Sequence, residues 1–185
     1  MAERRRRLGR MTVVAMGLLT LDLGVGACSP APEPIVAVEP VGEGGVRILT
    51  MTCSEFSPDN FGVHREDGPD ELQRWAVAPR GWNGPAPSAV EVFRVPEEWK
   101  TYESNIHDLQ PDATYAADVD GSVDGQGVSG KVRFDLGRLA KLGKGEVLTE
   151  NEDHETVTVS KKDFLARAND RCRDLSQKKE APRPT

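Results

Sequence analysis

In the stretch Leu109-Gln110-Pro111-Asp112-Ala113-Thr114-Tyr115-Ala116-Ala117-Asp118-Val119, a turn gives way to a strand. Pro111 presets its own φ and Asp112 can bond nearby backbone, so both favour a turn. Beyond them Tyr115, Ala117 and Val119 fall on alternate residues, the period of a strand with one buried face. The same pattern recurs on both sides. Upstream, Val46–Cys53, Phe61–Arg65, Leu72–Ala78, Ala89–Val95 and Trp99–Glu103 read as strands. They are separated by the turn cluster Asp67-Gly68-Pro69-Asp70, the Gly/Pro loop Pro79–Pro87, and Pro96. Downstream, Gly121–Gly127 reads as a turn and Val128–Phe134 as the returning strand. Leu136, Leu139 and Leu142 suggest a helical turn or two ended by Gly143, followed by short extended pieces at Glu146–Thr149 and Thr156–Ser160. Short strands spaced by roughly 8–12 residues predict a mostly β chain, an immunoglobulin-like or related β-sandwich.

The last element differs. Ser160 can cap a helix whose third residue, Asp163, reaches back to it. Phe164, Leu165, Ala168, Cys172 and Leu175 then share one helical face, which predicts a short C-terminal α-helix with Cys172 turned inward.

The spacing Leu109-x-Pro111-x-x-x-Tyr115 resembles the E–F corner of fibronectin type III domains. The resemblance implies that Tyr115 begins strand F, that its hydroxyl bonds back to the upstream turn, and that Leu109 packs beneath it.

The N-terminal segment has another logic. Arg4, Arg5, Arg6, Arg7 and Arg10 precede an apolar run from Met11 to Leu21, and small residues lead to Cys28. That is the order of a signal peptide, residues 1–27. The run is shorter than the roughly 20 residues that span a bilayer, and Asp22 interrupts it. Val25-Gly26-Ala27-Cys28 resembles the lipobox of bacterial lipoproteins. The resemblance implies a diacylglyceryl group on the Cys28 sulfur and cleavage before it, so the membrane is the first expected partner. Residues 28–45, with Pro30, Pro32, Pro34 and Pro40, are expected as a lipidated tether in extended geometry. A β-rich domain is expected over residues 46–175 and a disordered tail over 176–185.

With Cys28 committed to lipid, Cys53 and Cys172 have one intramolecular pairing, and an exported chain sits where disulfides persist. Removing residues 1–27 takes away five arginines and two acids, leaving 19 basic against 28 acidic residues, net charge −9. Such a balance argues against nucleic acid as a partner and against docking on anionic lipid by charge.

Chemistry is sparse. His64, His107 and His154 show no metal-ligand spacing, no nucleophile motif is present, and no catalytic residue, metal or cofactor is expected. The run Glu150-Asn151-Glu152-Asp153-His154-Glu155 reads as solvated surface, with a cation site at this run as the alternative. Asp118–Gly125 faintly resembles a calcium loop, but its glycine is fourth rather than sixth, so an Asp/Gly hairpin turn is expected. Trp82 in the Gly/Pro loop, with Arg80 beside it, is the candidate ligand contact, since exposed tryptophan stacks on sugar rings. The expectation is a lipid-anchored, non-enzymatic protein of the cell envelope with a binding or structural role toward an envelope glycan or protein. The alternatives are an enzyme acting on an envelope polymer through paired carboxylates, and an assembly factor for exported proteins.

Overall fold

The computed structural model describes residues 34–42, 44–68, 73–81 and 87–180. Two five-stranded antiparallel sheets pack face to face. In chain order the strands are β1 (Ala37–Val41), β2 (Gly45–Leu49), β3 (Phe56–Arg65), β4 (Arg74–Pro79), β5 (Ala89–Glu91), β6 (Trp99–Ser104), β7 (Tyr115–Val123), β8 (Gln126–Phe134), β9 (Glu146–Glu150) and β10 (Thr156–Ser160). The helices are α1 (Leu136–Leu139) and α2 (Lys161–Glu180). One sheet runs β10-β9-β1-β2-β5 and the other β6-β4-β3-β7-β8. Within them β1-β2-β5 faces β4-β3-β7-β8, the strand distribution of an immunoglobulin-type sandwich. The β9–β10 hairpin extends the first sheet beside β1.

The alternation seen in the sequence sets which face is inside. Phe61, Val63, Trp75, Val77, Tyr115, Ala117, Val119, Val132 and Phe134 are all buried in the core between the sheets. Trp99 meets Phe61 edge-on at 5.5 Å and Trp75 meets Phe93 at 5.7 Å, so these two tryptophans are core residues. Tyr115 opens β7, and its buried hydroxyl accepts from the Gln110 N–H at 2.8 Å, the bond that defines a tyrosine corner. Leu109 packs against the core beside it.

Several boundaries differ from expectation: β3 begins at Phe56 rather than Phe61, β5 ends at Glu91 rather than Val95, and three further differences reshape the fold. The tether expected over residues 28–45 contains β1, which lies between β9 and β2. Ile35, Val36, Ala37 and Val38 are completely buried, and burying that apolar run outweighs the extended preference of the flanking prolines. Pro40 is tolerated because β9 pairs only with Ala37 and Val38, so the proline stands beyond that ladder. The expected turn at Gly121–Gly127 is tighter: β7 continues to Val123, and only Asp124 and Gly125 turn, both with positive φ. Gly121 is instead a strand residue opposite the β3 bulge at Pro58–Asn60. A Cβ there would stand 2.5 Å from the Ser57 carbonyl oxygen and 2.7 Å from the Phe56 ring. At the C-terminal end the helix is 20 residues long and runs through Glu180, past the expected limit at Leu175. The expected tail at 181–185 lies outside the described residues.

Helix α2 begins as its sequence indicates: Ser160 Oγ accepts from the Asp163 N–H at 3.0 Å and donates to the Asp163 carboxylate at 2.7 Å. Phe164, Ala168, Cys172 and Leu175 are buried. The Cys53 and Cys172 sulfurs lie 2.00 Å apart, at disulfide distance, so the helix is pinned to the segment following β2. Asn169 reinforces the contact, accepting from the Thr52 N–H at 2.9 Å. Among the described residues no helix is long and apolar enough to cross a membrane.

Candidate functional site

Polar side chains gather in two places. On the outer face of the second sheet, Arg74 of β4 reaches across β3 to Asp118 of β7, Nη2 to Oδ2 at 2.7 Å. Gly62 lies beneath the pair, and a Cβ there would stand 2.8 Å from both atoms. The other Asp118 oxygen is 3.2 Å from His64 Nδ1. Asp120 accepts from Asn60 Nδ2 at 2.8 Å, and Glu66 pairs with Lys131 and Arg133 of β8. Asp118 and Asp120 therefore belong to a strand and already have protein partners, unlike the residues of a calcium loop. Asp59, at the bulge, is held above the usual carboxylate range by burial and by neighbouring Asp120. On this face Asp118, Asp120 and Glu66 each have a cationic or amide partner, while Arg74 Nε, 3.8 Å from Glu103, and Asn60 Oδ1 are buried without a hydrogen bond.

The second place is a cleft of about 750 Å³ between the loop joining β9 to β10 and one side of α2. Glu150, His154, Phe164, Arg167, Asp170 and Asp174 are among its walls. β9 is buried from Val147 to Glu150 because β1 and β10 flank it and α2 packs beside it. Glu150, the last residue of β9, is consequently only 5% exposed. Its Oε1 has no hydrogen-bond partner, and its Oε2 lies 3.7 Å from His154 Nδ1. The acidic run expected as solvated surface thus starts from a buried carboxylate.

The loop holds His154 in place. Asn151 Oδ1 accepts from the N–H groups of Asp153 at 3.0 Å and Glu155 at 2.9 Å. His154 takes a left-handed backbone, φ 61°, which histidine tolerates better than most bulky residues. That turn brings the half-exposed imidazole back toward Glu150. Across the cleft Asp170 is paired with Arg173 on the helix surface, and Arg167 donates to the Asp163 carbonyl oxygen at 3.4 Å.

The residues singled out in the sequence fall elsewhere. Cys28 and Trp82 lie outside the described residues. Arg80 is exposed, but its Nε donates to the Trp99 carbonyl oxygen at 2.9 Å and fastens the end of β4 to β6. Cys53, Glu55 and Cys172 bring three metal-type donors together, yet with the sulfurs at bonding distance they offer no pair of free thiolates. Sequence reading missed Glu150 because an acidic run gives no sign of which member a helix distant in sequence will cover. The clue was the extended piece Glu146–Thr149, which stops one residue short of Glu150 and whose apolar pair Val147-Leu148 is too short to show burial on both faces.

No protein-family model, characterised protein or solved structure matches the chain.

Proposed function

We propose that the chain is a lipid-anchored binding protein of the bacterial cell envelope, held at the membrane through Cys28, with the cleft beside Glu150 as its ligand site. The observation that carries the reading is the N-terminal order: clustered arginines, the apolar run Met11–Leu21, then Val25-Gly26-Ala27-Cys28. A cysteine pair at disulfide distance suits an oxidising compartment outside the cytoplasm. The cleft is within the size range of small-molecule sites, and Glu150 in its wall keeps one buried oxygen that no protein group satisfies. An envelope glycan or the exposed part of another envelope protein is the class of partner, with Trp82 and Arg80 as a second contact region.

Intact-mass measurement of protein extracted from membranes tests the anchor. The expected form begins at Cys28 and carries acyl mass, and Cys28→Ser moves the protein to the soluble fraction. A mature form starting elsewhere, or without acyl mass, overturns the anchor.

One observation favours a second reading, an enzyme that hydrolyses an envelope polymer. The cleft has the buried Glu150 and other carboxylates in one lining, and paired carboxylates are what polymer hydrolysis uses. Release of fragments from purified envelope polymer by the wild type, lost in Glu150→Gln, would establish it. Absence of turnover by the wild type removes it.

A further inference from the structure

We infer that Glu150 and His154 form a chelate for a divalent transition-metal ion of the zinc class. The inference deepens the proposed role of the cleft and does not depend on the lipid anchor. Three features of the site lead to it.

First, Glu150 is a carboxylate with 5% of its side chain exposed and one oxygen left bare. Buried charge is costly unless paired, and the protein provides Oε1 with no pairing. Second, its other oxygen lies 3.7 Å from His154 Nδ1, an ion-pair separation beyond hydrogen-bonding range. Two donors on one tetrahedral ion, with bonds of about 2.0–2.2 Å, stand roughly 3.4 Å apart. A small rotation of the half-exposed imidazole covers the difference. Third, the two donors are on the wall of an open cleft in which Glu150, Glu152, Asp153, Asp170 and Asp174 outnumber Arg167 and Arg171, so its net charge attracts cations.

The donor set selects the ion. One imidazole nitrogen with one carboxylate suits zinc-class metals, whereas calcium takes oxygen ligands throughout. Among the described residues no third metal-type side chain lies within 4.8 Å of both donors. Water, or a donor atom of a bound ligand, completes the coordination shell in a cleft far larger than an ion. Such an open shell is how a metal lends affinity to a small polar ligand.

The test is thermal unfolding of the purified protein with Zn²⁺ alone, paired with the absorption spectrum of the Co²⁺ form. The melting temperature should rise by about 4 °C at tenfold excess over the dissociation constant and go on climbing with the logarithm of free Zn²⁺. The rise should vanish in Glu150→Gln and in His154→Ala and persist in His107→Ala. The visible bands of the Co²⁺ form should follow the same pattern. His154 is a half-exposed loop residue, so His154→Ala reports even if Glu150→Gln folds poorly. No rise in the wild type overturns the metal, as does a rise that both variants retain. Capture of an envelope component by the wild type, lost in Glu150→Gln without any Zn²⁺ response, overturns the metal while keeping the cleft as the binding site. Absence of both the capture and the Zn²⁺ response overturns the two together.

Discussion

Asp118 and Glu150 are both strand carboxylates in a sandwich, and their surroundings are opposite. Asp118 lies on the outer face of its sheet, 14% exposed, with Arg74 on one oxygen and His64 beside the other. Glu150 is more deeply covered and has one oxygen with no partner. The first arrangement serves stability: the guanidinium offsets the cost of partial burial, and Gly62 leaves room for the pair to bridge three strands. The second is unfavourable for folding by itself, which is why it marks a site where something other than the protein is expected to supply the partner.

The largest effect concerns the wall of the cleft. Replacing Cys53 and Cys172 together by serine removes a link between positions 119 residues apart and should lower stability by about 4 kcal/mol. Denaturant unfolding with and without reductant measures it, and thiol titration of unfolded, non-reduced protein should find neither cysteine free. If the two forms unfold alike, α2 is held by packing alone and the cleft wall needs no covalent tie.

Next, Asp118→Ala should cost about 3 kcal/mol, because it leaves the half-buried Arg74 facing a gap in the network. Glu150→Gln should move stability the other way, a gain of about 1 kcal/mol in metal-free buffer, since it removes a buried charge without removing a bond. Equal losses at the two positions would erase the distinction between a satisfied and an unsatisfied carboxylate.

The smallest effect is at an exposed carboxylate. Asp67 is held below its ordinary value of 3.8 by the Arg65 guanidinium and by the Thr114 N–H. Because its folded value is depressed, the contribution is present above pH 3.8 and is lost as pH falls through the lower, folded value. The melting temperature of Asp67→Asn should therefore sit slightly below that of the wild type at neutral pH and converge on it in acid. A difference that widens in acid would contradict the assigned sign.

Much of the sandwich could be read locally. The strands around Tyr115, Phe61, Val77 and Val132 show themselves by alternation, and α2 by its cap and apolar stripe, because these depend on neighbours in the chain. β1 was hidden since its apolar run, Ile35–Val38, is short and flanked by prolines. What makes it a strand is the pairing with β2 and with β9, more than a hundred residues away. The reach of β7 through Gly121 was hidden for a similar reason: a glycine among aspartates reads as a turn until the bulge of β3 occupies the space its side chain would need.

The sequence alone determined the β class, the tyrosine corner, the capped helix and the two cysteines able to join, all set by residue type at fixed spacing. Its N-terminal order also carries the expectation of export and lipidation. Only the tertiary structure decided which of 30 acidic residues matter to a site. A carboxylate's surroundings are made by strands and a helix that meet from distant parts of the chain. Burial without a partner cannot be read from the order of residues: it exists only once β10 has paired with β9 at Glu150 and α2 has packed beside it.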